Sequence, residues 1–442
     1  LRGALSQEHS TKDEMPDQNP NTNHSPIPIR LRLKYRQAKN TGTFDVSNME
    51  LTELPTPLPA KLKYLICANN RLTALPVLPD TLIDLDCTKN QLTALPSLPA
   101  GLKDLRCGGN RITELPDLPP TLTVLYCHTN QLRVLPELPP TLGELGCGDN
   151  RIRSLPTLPP TLTYLNCCYN PPLEALPVLP DSLTYLQCSA CNLHELPDLP
   201  SKVWSLDCGD NDLAILPELP ATLYYLKCAN NQLSYLPYLP NSVMTLHCEH
   251  NHITSLFDMP RMLKDINCSH NSLTDLPPMP YAVDKINCAH NRITRLGHVF
   301  PSVTVLDCSA NQLTFLPKLP KTIVTLECDD NPWNTAFDKL ICPITRLWNR
   351  INYGLNDYGV QPQMPKKPKN EHVEASHKYD LAMTKIKKQA RKLIVVNRIL
   401  HNSSLNGDVA SLICSFLSGA KGSLRGQVAA MRRTYMTGVG LV

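Results

Sequence analysis

Residues 115–134 read LPDLPPTLTVLYCHTNQLRV, and the same frame recurs along most of the chain. Reduced to its fixed positions it is L-P-x-L-P-x-x-L-x-x-L-x-C-x-x-N-x-L-x-x. Its cysteine returns at Cys67, Cys87, Cys107, Cys127, Cys147 and Cys167, each 20 residues after the last. After one insertion the series resumes at Cys188 and continues through Cys208, Cys228, Cys248, Cys268, Cys288 and Cys308 to Cys328. An asparagine stands three residues after nearly every one, from Asn70 to Asn331. These 14 registered copies exclude chance and identify a repeat array, whose length counts copies rather than cores.

The spacing dictates local structure. Leu125 and Cys127 are two apart and share one face of a short strand, so Tyr126 between them faces the other way. One strand of three to five residues cannot bury its face alone, but stacked copies form a continuous core. The asparagine amide is placed to bond backbone carbonyls of adjacent rungs that would otherwise be buried unpaired. Leu115, Leu118, Leu122 and Leu132 fill the rest of the coil, while Pro116 and Pro119 favour an extended, helix-free return. The expected fold is a leucine-rich-repeat solenoid of ~20-residue units. Short parallel strands line its concave face, polyproline-like segments form the convex side, and an all-α appendage follows.

Neighbouring ladder cysteines, about 4.8 Å apart, fall within disulfide range. They point inward in parallel and each has two equivalent neighbours, so no pairing is specified. The expectation is a small buried hydrophobe fitted to a tight coil. No histidine at ligand spacing supports a metal-loaded column.

Bulk properties narrow the class. The 442 residues include 42 prolines and 18 cysteines, but both types lie on the repeat register and so mark neither disorder nor a disulfide scaffold. No run approaches the roughly 18–20 apolar residues of a membrane span. The polar stretch from Gln7 to Asn23 lacks the apolar core of a secretory signal. A reducing, cytoplasmic compartment is expected, a host cell's included. The net charge of +4 is unevenly divided: residues 343–442 hold 16 Lys/Arg against 5 Asp/Glu, leaving −7 for the rest.

The doubled LP element followed by LxxLxCxxNxL resembles the short bacterial repeat of secreted effectors such as YopM and the IpaH/SspH/SlrP group. The match covers about residues 44–334. Similar cysteine-rich LP repeats occur in large DNA viruses. In the ligase members of the group a helical domain with a catalytic Cys-x-Asp motif follows the repeats. Here Cys342 and Cys414 have no Asp two residues on, and the string Cys328-Asp329-Asp330 begins at a ladder position. The resemblance therefore implies the repeat fold without the ligase chemistry.

In such a solenoid the outward strand residues vary while the frame stays fixed. Two groups stand out there: an acidic start (Asp84, Asp86, Asp104) and an aromatic patch (Tyr126, Tyr164, Tyr185, Tyr225), with Trp204 nearby. Aromatic side chains bury much area at low entropic cost and dominate binding hot spots. These eight residues are the expected partner-binding set. His250, His270 and His290 share one turn position on consecutive rungs, a pattern compatible with a metal or pH site and equally with repeat duplication.

The expected organisation has five parts. Residues 1–43 are a polar, mostly disordered lead-in carrying a basic run (Arg30, Arg32, Lys34, Arg36), and 44–331 are the solenoid. Residues 332–354 form a helical cap, 355–370 a linker, and 371–442 a basic helical domain. The tail's charge would suit nucleic acid or an anionic membrane, and residues 405–419 faintly resemble the opening of an F-box. No phosphate loop, HExxH or nucleophile elbow is present. The chain is therefore expected to bind a protein partner rather than catalyse, and to need no cofactor. A ubiquitin-pathway adaptor and a structural virion component are the alternatives.

Overall fold

The computed structural model describes residues 29–297, 302–317, 319–320 and 322–332. The expected cap, linker, basic domain and F-box-like stretch lie outside the described residues, apart from Pro332 at the start of the cap. The chain divides into two units, Leu1–Leu223 and Tyr224–Val442. The first holds α1 (Ile29–Thr41) and nine strands: β1 (Thr43–Asp45), β2 (Tyr64–Ile66), β3 (Asp84–Asp86), β4 (Asp104–Arg106), β5 (Val124–Tyr126), β6 (Glu144–Gly146), β7 (Tyr164–Asn166), β8 (Tyr185–Gln187) and β9 (Ser205–Asp207). The second holds β10 (Tyr225–Lys227), β11 (Thr245–His247), β12 (Asp265–Asn267), β13 (Lys285–Asn287), β14 (Val305–Asp307) and β15 (Thr325–Glu327). Within each unit every strand pairs in parallel with the next, copy on copy: Val124 opposite Glu144, Leu125 opposite Leu145, Tyr126 opposite Gly146. This is the leucine-rich-repeat solenoid that the frame predicts.

Each conserved position of the frame has a physical task. The central strand leucine and the ladder cysteine point inward and are fully buried, as at Leu125 and Cys127. The second proline sets a tight turn, its carbonyl accepting the N–H three residues on (Leu122 N to Pro119 O, 3.1 Å). The threonine after it stitches rungs together: Thr121 Oγ1 donates to Ala100 O and Leu102 O, both at 2.8 Å. The asparagine closes the coil as expected. Asn90 Nδ2 donates to Cys67 O of the preceding rung (3.0 Å) and to Cys87 O of its own (3.1 Å), while its Oδ1 accepts Leu72 N–H (3.0 Å).

The residue before each ladder asparagine adopts a left-handed conformation, for example Lys89 at φ 53°, Thr129 at 55° and His270 at 52°. Only Gly109 takes this position as a glycine. Side chains elsewhere are held there by the bonds of the asparagine beside them.

The structure departs from expectation at three places. Residues 29–41 of the supposed lead-in form α1. Leu31, Tyr35 and Ala38, spaced four and three apart, are buried, and the basic run between them masks this periodicity in the sequence. Tyr35 donates to Pro57 O (2.8 Å) and meets the Phe44 ring edge-on at 5.9 Å, so α1 covers the first rung. Gly42, at φ 72°, ends the helix by donating to Ala38 O.

At the Pro171-Pro172 insertion, Cys191 occupies the slot where an asparagine is due. Its thiol donates to Cys167 O (3.1 Å), replacing one of the amide's bonds, and Leu173 N–H turns to Asn170 O (2.8 Å). The ladder cysteines from Cys67 to Cys308 are free buried thiols, as expected of packing groups. Cys328, the last of the column, is instead disulfide-bonded.

Candidate protein-binding face

Parallel pairing carries the outward residues into rows. Along one row Asp86 lies opposite Arg106, Arg106 opposite Tyr126, Tyr126 opposite Gly146, and Gly146 opposite Asn166. Along the other, Asp84 faces Asp104, Glu144 faces Tyr164, and Tyr164 faces Tyr185. The expected acidic and aromatic groups of the first unit therefore do sit on one surface.

The aromatic side chains form a continuous strip. Tyr126 and Tyr164 meet edge-on at 6.2 Å, Tyr164 stacks on Tyr185 at 4.9 Å, and Tyr185 contacts Trp204 at 5.6 Å. Trp204 remains 46% exposed, which is unusual for so large an apolar ring unless something covers it. Tyr225 belongs to the second unit, where its ring meets His247 at 6.2 Å. There His247 lies 3.8 Å from Asp265, whose other oxygen is 3.5 Å from Lys285 Nζ. Within its unit Tyr225 thus adjoins a polar cluster.

One strand, β6, separates Tyr126 from Tyr164, and its Gly146 allows them to meet. A Cβ at Gly146 would fall 2.4 Å from Tyr126 Cδ1, so only glycine admits the ring across β6. The Tyr126 hydroxyl donates to Glu144 Oε2 and thereby fixes that orientation. Burial, then this bond and the Glu144 charge, raise the Tyr126 phenol above its ordinary value. On the same rung His128 leans the opposite way, over Gly108, where a Cβ would lie 2.6 Å from its Nε2.

Along this face lies an open groove of about 420 Å³, lined by Asp86, Thr88, Arg106, Tyr126, His128, Gly146, Tyr164 and Asn166. Arg106 is spent internally. It makes two bonds to Asp104 (3.0 and 2.9 Å) and lies 5.6 Å from the Tyr126 ring centre. Asp86 Oδ1 accepts the Thr88 N–H (3.0 Å) and hydroxyl (2.7 Å), ending the strand in a side-chain-capped turn. Burial first, and then the nearby Asp104 and Asp86 carboxylates, push the Asp84 carboxyl above its ordinary value, with Arg106 opposing. The acidic group is therefore crowded and partly neutralised. Sequence reasoning missed Arg106, His128, Asn166 and above all Gly146; a glycine opposite an outward tyrosine was the available signal.

His250, His270 and His290 stack face to face, 4.0 Å between successive ring centres. Parallel faces do not converge their nitrogens on a common point. Among the described residues no group of three or more His, Cys, Asp or Glu is arranged to hold a metal ion.

No model of a known protein family and no curated protein matches the chain. Solved structures do. YopM from Yersinia enterocolitica WA-314 is 35% identical over 70% of this chain and 75% of its own, with a TM-score of 0.61. YopM from Yersinia pestis, a leucine-rich effector protein, is 31% identical over 68% of this chain and 92% of its own, with a TM-score of 0.62. The chain belongs to the YopM-like leucine-rich-repeat family. The functional domain of InlJ from Listeria monocytogenes, which includes a cysteine ladder, is 25% identical over 58% of this YopM-like chain and 60% of that one, with a TM-score of 0.53. Repeat solenoids of this kind are protein–protein interaction scaffolds, presenting fixed coils and variable outward residues. Among the described residues of this YopM-like chain no helix is long and apolar enough to cross a membrane.

Proposed function

We propose that this YopM-like protein acts by binding a protein partner on the outward strand face of its first unit, as an effector-type host-interaction factor. The observation that carries this is the strip Tyr126–Tyr164–Tyr185–Trp204, four aromatic side chains in ring contact from β5 to the start of β9, ending in a half-exposed Trp204. Their inter-ring contacts restrict them before binding, so little side-chain entropy remains to be lost. Membership in a family that contains an effector supports the biological setting.

The test compares affinity capture by the intact chain with capture by a Tyr164→Ala/Tyr185→Ala/Trp204→Ala variant and by a Val77→Ser/Val178→Ser variant on the return segments. The partner should be lost with the first variant and retained with the second. Retention by the triple variant would refute the proposal.

A further inference from the structure

We propose that Cys167 and Cys191 are a peroxide-sensitive pair, placed to join as a reversible disulfide between neighbouring rungs. The bond would tie the coil of β7 to that of β8, behind the stacked Tyr164 and Tyr185.

At a regular turn such as that of Asn90, the side chain offers both an amide and a carbonyl oxygen to the backbone around it. Cys191 takes that slot at the insertion, where its thiol donates to Cys167 O (3.1 Å) and lies 3.4 Å from Ser189 O. Coming from the turn rather than from the ladder, its sulfur also makes hydrogen-bonding contact with the Cys167 thiol. Both are free and buried. Ladder thiols meet differently: they project in parallel from adjacent strands, and at Cys87, Cys127 and Cys147 the neighbouring thiols act only through charge.

The surroundings prepare Cys191 as the nucleophile. The Cys167 thiol, donating to it, holds Cys191 below its ordinary 9.0 against the effect of burial, and the Asn170 N–H assists. Thiolate is the form that a peroxide oxidises. This turn is also less firmly closed than its fellows, since S–H is a weak donor and cysteine has no counterpart of the amide oxygen. Leu173 N–H accordingly turns back to Asn170 O (2.8 Å). Brief local opening then admits an oxidant little larger than water. The Cys191 thiolate attacks the O–O bond of hydrogen peroxide, forming Cys191–SOH and releasing hydroxide, which takes up the proton Cys191 has lost. The Cys167 sulfur displaces the hydroxyl of that sulfenic acid, and its own proton leaves with the oxygen as water. Two thiols and one peroxide become one disulfide and two waters.

The folded full chain is treated with hydrogen peroxide near neutral pH, its remaining thiols are alkylated with iodoacetamide in urea, and chymotryptic fragments are sequenced by mass spectrometry. Cleavage after Tyr169 and Tyr185 separates Cys167 and Cys168 from Cys188 and Cys191, so fragmentation assigns the link. The chain should lose about 2 Da as a Cys167–Cys191 link and regain it with dithiothreitol. Cys191→Asn, which restores the residue of the frame, and Cys167→Ala should each abolish that loss. Cys168→Ala should keep it, alanine being the residue of the same column at Ala68 and Ala229. Circular dichroism verifies the fold of each variant. Absence of the link, a link through Cys168 or Cys188 in its place, equal linkage between ladder neighbours such as Cys127 and Cys147, or a sulfinic acid at Cys191 instead would overturn the proposal.

Discussion

The buried Asn90 side chain hydrogen-bonds backbone groups of its own rung and the one before, and its copies do the same on rung after rung. Removing the amide leaves the Cys67 and Cys87 carbonyls and the Leu72 N–H short of partners. Asn90→Ala should therefore destabilise the first unit by about 2–4 kcal/mol, read as a lowered urea midpoint. The ladder thiols make a second prediction. Burial pushes Cys67, Cys107 and Cys268 up to about 12 from an ordinary 9.0, and Cys87, Cys127 and Cys147 well above it. The unfolded chain then releases these protons above pH 9 while the folded chain keeps them. Stability is full below that pH and declines as pH rises through 9 toward 12. Equilibrium unfolding measured from pH 8 to 11 should show the loss, and iodoacetamide should spare the ladder thiols of the folded chain at pH 8. A flat profile would contradict the buried, protonated column.

Helix α1 closes the first rung through Leu31, Tyr35 and Ala38, so it is a structural lid rather than a lead-in. Tyr35→Ala removes a buried ring, its bond to Pro57 O and its contact with Phe44, and should cost about 3–5 kcal/mol in denaturant unfolding. The histidine stack acts at the same scale. Burial, then the neighbouring His290 and His250 charges, lower His270 below the ordinary 6.5. Below that pH the unfolded chain takes up a proton that the folded imidazole refuses, so the contribution is full above 6.5 and falls on acidification. His270→Asn, which tolerates the left-handed φ of 52°, should flatten this part of the acid slope. A variant as acid-sensitive as the parent would show that His270 does not contribute to the acid slope. The strands were legible because leucine, cysteine and asparagine hold fixed places in a 20-residue frame. Helix α1 was not, because its three buried residues lie among Arg30, Arg32, Lys34 and Arg36, which set the composition.

For the whole molecule, periodicity revealed which residues face outward but not how their side chains lie across neighbouring strands. Tyr126, Tyr164 and Tyr185 could be placed on one face by counting from each ladder cysteine, and the acidic residues likewise, whereas Trp204, four before Cys208, joins them only through its contact with Tyr185. The groove could not, because it depends on which way two rings lean over Gly108 and Gly146. Nor could the internal pairing of Arg106 with Asp104, which alters the meaning of the acidic patch. The central claim is that the aromatic strand face is where the partner sits. Site-specific photo-cross-linking tests it most directly, with a benzoylphenylalanine placed at Trp204 in one preparation and at Val178 on the return segment in another. Adducts to the captured partner should form from position 204 and be absent from position 178. Cross-linking from 178 alone, or equally from both, would contradict the account.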